Sequence, residues 1–238
     1  MSMDVFVIPI GRDRYELYCE PSAGTAAPDA AATAAGLVDR LRDRFDRFLH
    51  VAEEWHRHGP PSEPRGPVGR SRNRVMGWVA QRIAEQRLLW YLRQHTAAVA
   101  AHPQDMTFDQ VLSLIHRTLR HDHDRHRRWM IIDGLLFVLT FLALGPLFLL
   151  VPGVANMPAL YFGFRAIGHW LSMEGADQGL HRVAWSGRPC PPLAELREAA
   201  LLEPPAREAC IHDIAARLRL PHLSTFFERV VAPARVIF

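Results

Sequence analysis

Three ionisable side chains stand inside otherwise apolar sequence: Asp133 in one run, Arg165 and His169 in the next. Arg165 and His169 are four residues apart, so in a helix they share a face. Asp133 could neutralise Arg165 if the two runs pair as helices. Ionisable groups at membrane depth are costly unless paired, and are functional candidates for that reason. An imidazole titrating near neutral pH could also move protons. The same residues also fit a static ion pair with a snorkelling arginine, which would fix helix packing and do nothing more. The residue types leave both open.

A second cluster is polar. His121, Asp122, His123, Asp124, Arg125 and His126 follow one another, with Arg117 and Arg120 before them and Arg127 and Arg128 after. Imidazoles and carboxylates this dense can ligate a metal, but Arg125 stands where the HxHxDH metal box needs Asp. His123 and His126, three apart, leave at most a two-point site. The pattern predicts instead a basic helix that leads into a membrane and meets anionic lipid headgroups. No metal and no cofactor is expected. The chain has no P-loop, dinucleotide-binding glycine pattern, nucleophile elbow or HExxH, so nothing in it predicts an enzyme.

The elements that must position these groups follow from hydropathy and spacing. Gly134–Val151 carries no charge and is mostly Leu, Phe and Val. As a helix, Met130–Val151 would be on the order of 33 Å long, close to the hydrocarbon thickness of a bilayer. Asp133 near its entry costs less than the roughly 2.5–3.5 kcal/mol of a helix centre; about fifteen large apolar residues, at roughly −0.3 to −0.6 kcal/mol each, outweigh it. Trp129 and the arginines before it match an interfacial belt and a positive-inside flank. Pro152, Gly153, Asn156 and Pro158 are expected to turn the chain, and Ala159–Leu171 to return as a second apolar helix. Basic flanks outside both arms, Arg125–Arg128 and then Arg182 with Arg188, place both termini in the cytoplasm. This divides the chain into residues 1–128, a cytoplasmic β-hairpin plus helical region; 129–173, a membrane hairpin; and 174–238, cytoplasmic C-terminal helices.

Elsewhere, Val5–Ile10 and Tyr15–Cys19 flank Gly11–Arg14 as a β-hairpin, marginal alone and therefore packed on helices or paired with another chain. Ala23–Gly36 is expected as a connector, Gly36–Arg57 as a helix, His58–Arg74 as a basic loop, and about Val75–Arg93 as a second helix. Thr107 and Gln110 form a capping box at the head of the helix that leads to the histidines. Pro191–Leu202 and Arg207–Leu218 are amphipathic, and Leu223, Phe226, Phe227 and Val230 make a third apolar stripe. The expected fold is mainly α: an N-terminal β-hairpin, amphipathic helices, and a membrane-inserted helical hairpin.

Composition agrees with a folded chain: of 238 residues, 22% are charged and 49% apolar. A net charge of +3 is too small to predict a nucleic-acid partner. All 28 basic residues are Arg, a bias that a GC-rich genome produces and that points to a bacterial source. Three cysteines without CxxC spacing make neither a disulfide framework nor a zinc site, which fits a reducing compartment. The first ten residues have no basic segment and are expected to form a strand rather than a signal peptide.

Three segments together resemble a known family. They are the opening VFVIPIGRDRYELYCEP, the block RWMIIDGLLFVLTFLALGPLFLLVPGVANMPALYFGFRAIGHW, and the tail LxLPHLxxFFER. In the block, Pro146, the VPG-x-x-N-x-P turn (Val151, Pro152, Asn156, Pro158), and the aromatic stretch with Arg165 and His169 carry the likeness. The chain is similar to the mitochondrial potassium–proton exchange-related proteins, which include bacterial members. The resemblance implies a membrane protein associated with monovalent cation–proton exchange, in the inner mitochondrial or the bacterial inner (cytoplasmic) membrane. Secondary transporters build their sites from repeated multi-helix halves. One hairpin therefore implies a subunit or facilitator, working as a homo-oligomer or in a larger transporter complex. The alternative is a membrane-anchored interaction or assembly protein with no transport activity of its own.

Overall fold

The computed structural model describes residues 2–11, 13–20, 88–148 and 157–234. The expected connector, the helix Gly36–Arg57, the basic loop and most of the helix Val75–Arg93 lie outside them, as do Pro152, Gly153 and Asn156. Met1–Glu20 and Leu88–Phe238 belong to one compact unit.

β1 (Ser2–Pro9) and β2 (Tyr15–Tyr18) form the expected antiparallel hairpin, with Phe6 opposite Tyr18 and Pro9 opposite Tyr15. Two further strands were not expected. β3 (Ala97–His102) pairs in parallel with β1, and β4 (Ala184–Pro189) pairs in parallel with β3, giving a mixed sheet of order β2-β1-β3-β4. Both escape sequence rules for a physical reason. Alanine is depleted in strands, and β3 reads AAVAAH; β4 contains Gly187 and Pro189, residues that normally mark turns and strand edges. Ala98, Ala100 and Ala101 are buried, so tertiary packing supplies what propensity does not.

β1 is central and alternates between two cores. Met3, Val5 and Val7 face the helical turn at residues 88–92 and α1 (Phe108–Phe148), through Leu89, Leu92, Val111, Ile115 and Leu119. α2 (Met157–His181) joins this core through Ala176. Phe6, Ile8 and Ile10 face the other way. There α3 (Pro191–Ala199), α4 (Pro204–Leu218) and α5 (Leu223–Ala234) bury Leu196, Ile211, Ile214 and Phe227. Arg207, 5% exposed, ties α4 to α5 by donating two 2.7 Å hydrogen bonds to the Glu228 carboxylate.

α1 opens with the expected capping box. The Thr107 N–H donates to Gln110 Oε1 at 3.0 Å and the Gln110 N–H to Thr107 Oγ1 at 3.4 Å, which satisfies two otherwise free helix-start donors. α1 and α2 then pair as a hairpin whose base is fixed twice, because β3 feeds α1 and α2 feeds β4. The Ala184 N–H donates to the Thr96 carbonyl at 2.9 Å across that junction. α2 turns small residues inward: Gly168, Ser172, Gly175, Ala176 and Gly179. A methyl group on Gly175 would stand 1.8 Å from the Leu89 carbonyl oxygen, so only glycine permits this approach.

Among the described residues, no helix is long and apolar enough to cross a membrane. The first expected span ends at Val151, beyond the described part of α1, and α2 carries Arg165, His169, Glu174 and Asp177 along its length. The helical hairpin itself is present; the fold by itself does not supply its insertion.

Candidate functional site: an ionisable cluster inside the helical hairpin

The buried face of α1 changes chemistry along its length. Near the sheet it presents Val111, Ile115 and Leu119, each fully buried, while Asp109, Ser113, Arg117 and Arg120 are exposed. Two turns further the buried positions are His126 and, seven residues on, Asp133. The outward positions there are Trp129, Ile131, Ile132, Leu135, Phe137, Val138, Leu139, Phe141 and Leu142, all exposed. Tyr161 and Phe164 of α2 extend the same belt. Among the described residues, the only other large apolar side chains so exposed are Leu201 and Leu202. The hairpin is therefore inverted relative to a water-soluble helix pair, polar within and apolar without.

Asp133 is 1% exposed and sits between the two helices. Arg165 Nε lies 3.3 Å from its Oδ2 and His169 Nε2 lies 3.4 Å from the same oxygen. Neither contact has hydrogen-bond geometry, and among the described residues neither Asp133 oxygen has a hydrogen-bond partner. Charge alone offsets the desolvation of the carboxylate, a cost of several kcal/mol for an ion removed from water.

Aromatic rings position Arg165. Its guanidinium carbon lies 5.9 Å from the Trp129 ring centre and 5.5 Å from that of Tyr161. Both contacts are within cation–π range. Each ring is one helical turn before a charged partner, Trp129 before Asp133 and Tyr161 before Arg165, so the two turns clasp the pair. One turn beyond His169, Ser172 accepts a 3.0 Å hydrogen bond from the Trp90 indole and donates to the Gly168 carbonyl at 2.9 Å. That contact fixes the roll of α2 and hence the direction of His169.

The structure thus brings together the three residues singled out in the sequence, Asp133, Arg165 and His169, and adds a fourth. His126 is 7% exposed, and its Nδ1 stands 2.8 Å from Nδ1 of His169. Burial first, then the neighbouring His169 and Arg125, push His126 down to about 4 from an ordinary 6.5, so it is neutral at pH 7. Sequence reasoning placed His126 in a lipid-facing basic stretch. The missed signal was spacing: His126 is two turns from both Leu119 and Asp133, on the one face that faces inward throughout. The rest of the cluster, including Arg125, Arg127 and Arg128, is exposed or half-buried. Among the described residues, no group of three or more His, Cys, Asp or Glu side chains could hold a metal ion. Of the expected turn residues only Pro158 is described, in the first turn of α2.

Nothing among curated proteins or solved structures matches the chain. A family profile does, over residues 91–182, which run from the end of the 88–92 turn through β3 and the whole hairpin to the end of α2. His126, Asp133, Arg165 and His169 all fall within it, while the quoted opening and tail lie outside. Over this region the chain is similar to the mitochondrial K+-H+ exchange-related family.

Proposed function

We propose that the α1–α2 hairpin inserts into a lipid bilayer and that the protein takes part in potassium–proton exchange, as a subunit or facilitator. The inverted hairpin carries this proposal: a buried Asp133–Arg165–His169 cluster is wrapped in an exposed belt of Leu, Ile, Phe and Trp. In water that belt is a large exposed apolar surface; in lipid it is the favourable surface and the buried charges become the working ones. Trp129–Phe148 is about 30 Å of helix, and the uncharged run that begins at Gly134 continues in sequence to Val151.

Because both hairpin ends join the same sheet, the sheet and the C-terminal helices lie on one side of the bilayer. Arg120, Arg125, Arg127 and Arg128 ring the hairpin base and are exposed, which suits anionic headgroups and a cytoplasmic side. The membrane we propose is the inner, cytoplasmic membrane of a bacterium. A single hairpin does not enclose an ion path, so assembly with further copies or with a larger transporter belongs to the proposal. The role assigned to Asp133, Arg165 and His169 is charge handling, not covalent catalysis.

The test is flux in proteoliposomes that contain only the purified protein. A potassium gradient is imposed and internal pH followed, with insertion verified by protease protection. Potassium-dependent pH change is expected, and Asp133→Asn or His169→Ala is expected to abolish it. Full activity in both variants removes these residues from the mechanism. Correct insertion with no flux favours the membrane-anchored interaction protein.

A further inference from the structure

The 2.8 Å contact between Nδ1 of His126 and Nδ1 of His169 fixes a proton count. Two N–H groups facing each other at that distance clash, and two lone pairs repel, so the pair holds one proton between them. His169 uses its opposite nitrogen, Nε2, toward Asp133 Oδ2 at 3.4 Å. His126 Nδ1, His169 Nδ1, His169 Nε2 and Asp133 Oδ2 thus lie in order from the hairpin's base inward, the last step an ion-pair contact that must close into a hydrogen bond for a proton to cross. Arg125 and Arg127, on either side of His126 in sequence, are exposed; His126 is 7% exposed and the His169 side chain 14%, whereas Asp133 is 1% exposed.

Building on the exchange function above, we propose that His126 is the proton port of the cluster, passing protons between the aqueous side of the hairpin and Asp133 through His169. In the resting state His126 carries its proton on Nδ1, His169 on Nε2, and Asp133 is ionised. A proton arriving at His126 Nε2 releases the Nδ1 proton to His169 Nδ1. The imidazolium so formed gives its Nε2 proton to Asp133. The gain is one proton, now on the carboxyl group, and the His126–His169 contact still holds one proton. Release from Asp133 and return of both rings to their first tautomer complete the cycle. Among the described residues, the charged groups that bear on the line include Arg125 on α1, beside His126, and Arg165 on α2, beside Asp133. Arg165 loses its counter-charge when Asp133 is protonated, and the Trp129 and Tyr161 rings hold it in place meanwhile.

Two measurements on the full chain test the port. In lipid nanodiscs, nitrogen-15 histidine spectra between pH 4 and 8 are expected to show coupling between the two Nδ1 atoms and a joint titration, both lost in His169→Gln. Independent titration of the two rings in the wild type overturns the relay without any variant having to fold. In proteoliposomes, His126→Gln is expected to slow potassium-driven pH change at least about tenfold, the scale of a lost proton-transfer group. His121→Gln, at an exposed position five residues away, is expected to match the wild type. Wild-type rates in His126→Gln overturn the port and leave the exchange function standing. Absence of flux in the wild type overturns the exchange function for the isolated chain, and the spectra keep that result apart from failure of the histidine pair.

Discussion

His126 makes stability depend on pH in a direction set by its environment. Its folded-state value, about 4, lies below the ordinary 6.5, so between those values the unfolded chain binds more protons than the folded one. Stability contributed by the neutral ring is present above pH 6.5 and is lost as pH falls toward 4. Carboxylates also weaken folded proteins in acid, so the comparison that isolates His126 is with His126→Gln. Denaturant titrations are expected to show a smaller loss between pH 6.5 and 4.5 in that variant; equal losses would show that the ring is not held neutral. Arg207 behaves differently, because it is permanently charged and nearly buried. Arg207→Ala removes the two hydrogen bonds and the ion pair that tie α4 to α5 through Glu228 and is expected to cost on the order of 1–3 kcal/mol, below the ~3–5 of a fully buried pair because Glu228 is partly exposed. Unfolding midpoints check this, and a change under about half a kilocalorie would mean that water replaces Arg207 freely.

The helices show what spacing does and does not reveal. The capping box at Thr107 and Gln110, the stripe Val111–Ile115–Leu119 and the three C-terminal helices were legible because each rests on local contacts at three- or four-residue steps. β3 and β4 were not, since their alanines, glycine and proline fit strands only where neighbouring layers already enclose them. The tight side of α2 belongs to the same class. Gly175→Ala pushes a methyl against the Leu89 carbonyl oxygen, a backbone atom that side-chain rotation cannot clear. It is expected to lower stability by about 1–3 kcal/mol, the usual scale of overpacking. Gly134→Ala, with nothing within 4 Å of its added methyl, is expected to be neutral or to gain up to about 1 kcal/mol of helix propensity. Thermal melts of the two variants should move apart; a parallel shift would mean that α2 does not lie against the 88–92 turn.

Within the unit Met1–Glu20 and Leu88–Phe238, helices pack on both faces of the sheet and the α1–α2 hairpin exposes an apolar belt. Replacing Leu135 and Leu142 together by Asp tests which solvent that surface meets. In lipid, each aspartate near the helix centre costs roughly 2.5–3.5 kcal/mol, so the double variant should leave the membrane fraction on alkaline extraction while the wild type stays. Retention of both would separate the belt from the bilayer and point to a protein partner in its place.

The sequence by itself determined the β-hairpin, the helical hairpin and its apolar run, and singled out Asp133, Arg165 and His169 as candidates. All of these depend on local periodicity or on opposite charges placed on facing helices. Only the tertiary structure decided that the β-hairpin is half of a four-stranded sheet, because parallel pairing joins residues about ninety positions apart and leaves no local trace. It also decided that His126 belongs to the buried cluster. A histidine among arginines has the same local signature whether it faces lipid headgroups or a second histidine, and the roll of α2, set by Gly175 and Ser172, makes the difference.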